Sequence, residues 1–225
     1  MRPFKWRRWW LLAIPLSMLV FYAPLLRCCT ILAVVHEPLP AQVEAVLIEG
    51  GDNRHDVAAG WVKSGFARTI LLARRMADRN VASGVVPPED FFTREKLLEL
   101  EVPDRAIQCL DDERPRGQWR FVRLLGVWLR DHPGAKVVVL CDQFESRLNR
   151  DALDRVLPGG DAQRVYVHGL PSLAYDQRVW WRSRPAAVNL FDSVLSLAYA
   201  RGVGEDPDEP VTWSVDSYEK GIERR

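Results

Sequence analysis

Apolar runs alternate with helix-like stretches along the middle of the chain, and this alternation constrains the fold more than any other feature. The run AVLIEGG begins at Ala45 and ends in two glycines, and the helix-like stretch RHDVAAGWVKSGF follows it. RTILLARR then supplies a second apolar run, so strand, glycine turn, helix and strand fit within about thirty residues, the length of a crossover unit. The sequence therefore predicts two parallel strands here.

The same alternation continues toward the C-terminus. A predicted helix, TREKLLELE, precedes the strand AIQCL, and the helix QWRFVRLLGVWLRDH precedes AKVVVLC, the strongest predicted strand. SRLNRDALDRVL, RVYVHGL and the helix around AVNLFDSVLSLAYA complete the series. We expect a three-layer, Rossmann-like α/β domain over residues 45–201, with a doubly wound and mainly parallel sheet. Residues 76–92 are predicted to form a loop, and residues 202–225 a polar tail.

An uncharged apolar segment precedes this domain. Trp9–Leu26 contains no charged residue, and a helix of that length nearly matches the ~30 Å hydrocarbon thickness of a bilayer. Basic residues cluster before the segment, whereas the acidic Glu37 and Glu44 follow it, which favours a body on the extracytoplasmic side. The sequence predicts an uncleaved single-pass anchor within residues 1–35, followed by a linker at 36–44. A cleaved signal peptide is the alternative.

Charge and cysteine content argue against two kinds of partner. The chain carries 31 Lys and Arg against 30 Asp and Glu, so no overall field favours nucleic acid, and no nucleic-acid partner is expected. Cys28 and Cys29 are adjacent while Cys109 and Cys141 stand near separate strands, so no zinc-ligand spacing occurs and no metal site is expected. Cys109 and Cys141 are either two buried free thiols, which we favour, or a disulfide.

Residues directly after the predicted strands are the candidates for a site, because ligands of open parallel sheets bind beyond the carboxyl ends of the strands. Gly50 and Gly51 would let a ligand approach the backbone, and the next helix N-terminus offers N–H groups to an anion. The pattern is neither GxGxxG nor a GKS/T phosphate loop. A tight turn that binds nothing therefore explains the glycines equally well.

The other strand-end residues can supply both an anion clamp and acid/base groups. Arginine binds phosphate or carboxylate through paired hydrogen bonds, and carboxylates can transfer protons. Helix caps and solvated salt bridges explain the same residue types, so catalysis stays open and no cofactor is indicated. The candidate catalytic residues are Asp142 and Glu145, and the candidate ligand-binding residues are Gly50, Gly51, Asp52, Arg54, Arg74, Gln143 and Arg147.

Two aromatic features have competing interpretations. Trp180 and Trp181 lie among arginines in RVWWRSR, where they either pack the last helix against the body, which we favour, or stack on a sugar or lipid headgroup. His168 stands at a predicted strand end, where a hydrogen-bonded structural role is favoured over a ligand role.

The order of these pieces resembles the SanA/YdcF/ElyC-like family of bacterial envelope proteins, a domain of unknown function often preceded by one membrane helix. The resemblance covers residues 44–200 and rests on AVLIEGG with Arg54, SGFARTILLA, LLELEVPDRAI and VVVLCDQFESRLNRDALDRVL. It implies an α/β domain anchored in the cytoplasmic (inner) membrane and a role in cell-envelope or peptidoglycan-related processes. Glu145 stands where many relatives have His, and the family's Thr-containing motif is not evident near residues 116–119.

Two hypotheses follow from these observations. In the first, the anchored domain binds an anionic small-molecule, lipid-linked or nucleotide-like envelope precursor at the strand ends. The arginines Arg54, Arg74 and Arg147 would hold the anion, and the nearby carboxylates would supply acid/base chemistry. In the second, the protein is a noncatalytic envelope scaffold or assembly factor, which the replaced histidine favours.

Overall fold

The computed structural model describes residues 26–49, 53–74, 87, 89–110 and 119–203, and within these ranges five strands form one all-parallel sheet. The strand order is β3-β2-β1-β4-β5. This arrangement confirms the predicted α/β class and the predicted parallel sheet. The strands are β1 (Val43–Ile48), β2 (Ala67–Ala73), β3 (Ile107–Leu110), β4 (Val137–Asp142) and β5 (Val165–Leu170).

Helices cover both faces of the sheet, which explains why the strands are apolar runs rather than alternating patterns. Every residue of β4 is buried, because this strand lies between two neighbours and between two helical layers. The helices are α1 (Arg54–Lys63), α2 (Glu89–Glu99), α3 (Arg120–Asp131), α4 (Ser146–Val156), the single turn α5 (Gly159–Ala162) and α6 (Arg184–Gly202).

The helices that connect β1 to β2 and β2 to β3 lie on one face of the sheet, those that connect β3 to β4 and β4 to β5 lie on the other, and the strand order reverses between β1 and β4. Helices α1 and α2 pack on the face that carries Val46 and Val138, whereas α3 and α4 pack on the face that carries Leu47 and Val139. In a doubly wound sheet this reversal opens a crevice beyond the carboxyl ends of the two central strands. The fold thus places the ends of β1 and β4 where a ligand can enter.

The structure corrects one predicted boundary and decides one alternative. Helix α2 begins at Glu89, so the prediction of a loop up to Phe92 is wrong at its end, and most of that predicted loop lies outside the described residues. Cys109 and Cys141 are both free thiols. Their strands are separated by β2 and β1, which places them roughly 14 Å apart in the sheet, too far for a disulfide.

The chain enters the described structure at a short helical segment. Residues 26–29 are helical, Thr30–Leu32 form a 3-10 turn, and an extended stretch follows. We call residues 26–35 the entry segment. The predicted membrane span lies outside the described residues except for Leu26. No helix among the residues that the structure describes is long and apolar enough to cross a membrane.

Candidate ligand-binding site

A hydrogen bond connects the end of β1 to helix α4 across the central crevice. The backbone N–H of Glu49 continues the sheet by donating to the Leu140 carbonyl at 3.0 Å. Its carboxylate accepts a hydrogen bond from Asn149 Nδ2 at 2.6 Å. Gly50, Gly51 and Asp52, which sequence reasoning placed in the site, lie outside the described residues.

The buried thiol of Cys141 lies near Glu49 and Asn149. Burial raises the pKa of Cys141 well above its usual value, because the thiolate would have little solvation there, and the negative charge of Glu49 acts in the same direction. A hydrogen bond with Asn149 and the positive charge of Arg54 oppose the shift. The thiol is therefore protonated at neutral pH and is not an activated nucleophile.

The charges of two predicted site residues also affect the pKa of Cys141: Glu145 raises it and Arg54 lowers it. The structure therefore brings both residues near this thiol. Arg54 begins α1, and its Nε is buried without a hydrogen-bond partner among the described residues. The preceding residue, Asn53, does not cap the helix through its side chain. Its Nδ2 instead donates to the Pro171 carbonyl at 2.9 Å and joins α1 to the segment after β5.

Asp142 stabilises the turn that follows β4. Asp142 is 6% exposed, and its side chain accepts a hydrogen bond from the Phe144 N–H at 2.8 Å, which caps the 3-10 turn Gln143–Glu145. The Ser146 hydroxyl donates to the Gln143 carbonyl at 2.7 Å. The carboxylate that sequence reasoning assigned to catalysis thus has a local structural role of the kind seen at helix N-termini.

Two arginines of the predicted anion clamp make hydrogen bonds within the protein. Arg74 lies after β2, and its Nε and Nη2 donate to Asp90 Oδ2 at 3.0 and 2.9 Å. Arg147 lies in the first turn of α4, and its Nη2 donates to the Val34 carbonyl at 2.9 Å while its N–H donates to the Ala33 carbonyl at 3.0 Å. These contacts connect β2 to α2, and α4 to the entry segment.

A cavity of 790 Å³ lies beyond the ends of β4 and β5. Its walls combine aromatic and aliphatic side chains with a polar rim, as is typical of small-molecule sites. Gln143 is the one predicted site residue that lines it among the positions described. The lining comes from the entry segment (Arg27, Thr30, Val34), from the turn after β4 (Gln143, Phe144) and from the segment after β5 (Pro171, Ser172 and Tyr175–Arg178).

Tyr175 connects this cavity to the carboxylates at the end of β4. Its ring stacks on Phe144 with centroids 6.2 Å apart, and its hydroxyl accepts a hydrogen bond from Asn189 Nδ2 at 2.7 Å. Burial raises the pKa of Tyr175, and the charges of Asp142 and Glu145 raise it further, against the hydrogen bond with Asn189. Tyr175 therefore offers a neutral phenol at neutral pH.

The entry segment is fixed to the body of the domain. Trp180 is 4% exposed, and its Nε1 donates to the Leu26 carbonyl at 3.0 Å. The Val35 N–H donates to the Ser146 hydroxyl at 2.9 Å. Trp180 also belongs to an apolar cluster with Ala33 and Phe144, which confirms that its role is packing.

No family model, curated protein or solved structure matches the chain.

Among the described residues, no group of three or more His, Cys, Asp or Glu side chains could hold a metal ion. His168 is half-buried against Trp61, with ring centroids 5.5 Å apart, and burial lowers its pKa.

Sequence reasoning missed Pro171, Ser172 and Tyr175–Gln177, which line the cavity, and it named Arg178 only as part of RVWWRSR. The available signal was their position directly after β5, because the strand-end rule applies to this strand as to the others. The predicted strand RVYVHGL ended at Leu170, as β5 does, but the only residue named as a candidate for this strand end was His168. The cavity residues begin immediately after Leu170.

Proposed function

We propose that the chain is a membrane-anchored, Rossmann-like α/β domain that binds an anionic envelope precursor or nucleotide-like ligand in the cavity beyond β4 and β5. Its role would lie in cell-envelope or peptidoglycan-related processes at the cytoplasmic membrane. The observation that carries the proposal is the composition of the cavity walls. Part of the lining is the entry segment, which begins at the last residue of the predicted membrane span, and the rest consists of strand-end residues.

Positive charge at this cavity comes from arginines other than Arg74 and Arg147. Arg27 and Arg178 both line it. Arg178 pairs with Asp176 at 3.2 Å in an exposed setting, where such a pair contributes little stability and can be exchanged for a ligand. Guanidinium groups suit phosphate and carboxylate equally, so the anionic group of the ligand can be either.

The experiment is a thermal-shift titration of the full chain in detergent micelles with inorganic phosphate, glucose 1-phosphate and a polyprenyl diphosphate. At a hundredfold excess over its Kd, a ligand should stabilise the protein by about 2.7 kcal/mol, which corresponds to a rise in Tm of roughly 5–10 °C. The double variant Arg27→Ala and Arg178→Ala should lose this rise.

The matched control is Arg68→Ala, which removes an exposed arginine near the start of β2, at the amino ends of the strands, whereas the cavity lies beyond the carboxyl ends of β4 and β5. It should respond to the ligands as the wild type does. If none of the three anions shifts the Tm of the wild type, or if the double variant responds fully, the proposal is wrong.

A noncatalytic scaffold or assembly factor is the second candidate function. The observation that favours it is the engagement of Arg74 and Arg147 in internal contacts, together with the capping role of Asp142. In this hypothesis the double arginine variant should restore the wild-type phenotype to a deletion strain at normal protein level. Loss of complementation at normal level would exclude it.

A further inference from the structure

One long face of helix α6 is apolar and open to solvent. Its large exposed residues are Val188, Phe191, Leu195 and Tyr199, which we call the outer face of α6. Each of them has between 45% and 68% of its surface exposed. They recur every three or four positions, so they form one stripe along the helix. Asp192 is the one charged residue between Val188 and Tyr199.

The opposite face of α6 is already packed against the domain. Leu190 belongs to the apolar cluster of Phe144 and Trp180, and Ala200 belongs to the core beneath α3 and α4. A helix that packs on one side carries polar side chains on the other, whereas a helix that is apolar all round is buried all round. Contiguous exposed apolar surface of this kind marks a binding surface. The outer face therefore fits an occupant that the described residues do not supply.

The outer face lies beside the point where the chain leaves the predicted membrane span. Leu26 is the last residue of that span, and its carbonyl accepts the hydrogen bond from the Trp180 indole at 3.0 Å. The Trp180 ring in turn meets Phe191 edge-on, with ring centroids 5.9 Å apart. One indole ring thus separates the outer face from the end of the predicted span.

The length of the predicted span would hold this region close to a bilayer. The 18 residues Trp9–Leu26 would measure ~27 Å as a helix, against ~30 Å of hydrocarbon. A span with no length to spare holds Leu26 at the hydrocarbon boundary, beside a headgroup region about 5–8 Å deep. Ile31 and Leu32 follow within two turns and are 64% and 58% exposed. The entry segment therefore adds apolar surface at the same level.

We propose that the outer face of α6 binds the surface of the membrane, with its apolar side chains at the boundary between headgroups and acyl chains. The inference rests on the proposed function, because the anchor keeps the bilayer beside this face and makes its binding intramolecular. The Tyr199 phenol suits that depth, since aromatic side chains with a polar end favour the membrane interface. Arg182 and Arg184 are exposed at the start of α6 and can pair with lipid phosphates.

The test is photocrosslinking of the full chain in vesicles of phosphatidylethanolamine and phosphatidylglycerol, with benzoylphenylalanine in place of Leu195. Mass spectrometry of the products identifies what this position contacts, and a lipid adduct should be the main product. The matched control carries the same probe in place of Leu98, an exposed leucine of α2 on the other face of the sheet. The control should give no lipid adduct.

A substitution on the same stripe tests whether the apolar face causes the contact. Val188→Asp in the protein with the probe at position 195 places a second charge on the outer face. The yield of lipid adduct should fall severalfold, because a carboxylate is costly at the edge of the hydrocarbon. Val188 is 59% exposed, so the Tm in micelles should not change. An undiminished yield would overturn the inference.

Every other product would overturn the inference and identify the occupant. A crosslinked dimer would show that the outer face binds a second copy of the chain. An adduct within one chain to residues 9–25 would show that the chain's own apolar segment covers it. The absence of any adduct would show that the face has no occupant.

Flotation of the same vesicles on a density gradient separates failure of the inference from failure of the proposed function. If the full chain does not float with the vesicles, the anchor is wrong and the inference falls with it. If the chain floats and the probe at position 195 gives no lipid adduct, the anchored domain stands and only the binding of the outer face is wrong.

Discussion

Substitution of Gly169 by alanine should destabilise the protein by forcing apart the two strand ends that border the cavity. Gly169 lies opposite Cys141 in the pairing of β5 with β4. A Cβ atom added at Gly169 would lie 2.8 Å from Gln143 Cα and 3.1 Å from Ser146 Cβ. Both contacts are shorter than van der Waals separation, and the nearer one is to backbone.

The turn that Gly169 contacts cannot move at low cost. It is fixed by the hydrogen bonds from Phe144 N–H to Asp142 and from the Ser146 hydroxyl to Gln143. Overpacking at such a site costs typically 1–3 kcal/mol, so we expect a loss of about 2 kcal/mol in the free energy of unfolding. For a domain of this size, that loss corresponds to a fall in Tm of roughly 4–8 °C.

The assay is urea unfolding followed by circular dichroism, with Gly160→Ala as the matched control. Gly160 lies in α5, and a Cβ atom there would meet nothing within 4 Å. The control should be neutral or slightly stabilising, by about 0.4–1 kcal/mol at most. If Gly169→Ala unfolds within about 0.5 kcal/mol of the wild type, the packing argument is wrong.

Three further outcomes are expected. Asp90→Asn weakens the pair with the half-exposed Arg74 and should lower the free energy of unfolding by about 1–2 kcal/mol in urea melts, less at high salt. Trp180→Phe removes the bond to the Leu26 carbonyl and should increase amide hydrogen exchange in the entry segment, with little change in β1. Burial, and after it the charge of His36, lowers the pKa of His168 in the folded protein. As the pH falls, His168 is therefore protonated at a higher pH in the unfolded state than in the folded state. Stability should therefore fall as pH drops below about 6.5, and His168→Gln should reduce this slope in urea melts between pH 7.5 and 5.

The strands were predictable because the pattern that identifies each strand lies within its own few residues. Each strand of a sheet covered on both faces is a short apolar run, and VVVLC in β4 shows this most clearly. Local patterns could not show whether two cysteines on different strands lie close enough to pair, because that depends on the order of the strands. Cys109 and Cys141 both follow the strand pattern, yet only the placement of β2 and β1 between them excludes a disulfide.

The positions of the candidate residues in the fold were predictable, but their contacts were not. The strand-end rule located Gln143 and the carboxylates beside it correctly at the end of β4. The partner of Arg147 is a carbonyl 113 residues earlier in the chain, and the partner of Arg74 is a carboxylate in a stretch predicted as loop. Residue type shows that an arginine can bind an anion, but tertiary structure determines which one it binds.

In the proposed anchored protein, the fixed entry segment would set how the domain sits above the membrane. Contacts of Leu26, Ala33 and Val35 hold the entry segment against the body of the domain. In the proposed anchored protein, the cavity would keep a constant height and orientation relative to the lipid headgroups. Encounter with a lipid-linked ligand would then be a search in two dimensions, limited by lateral diffusion rather than by tumbling of a domain on a flexible tether.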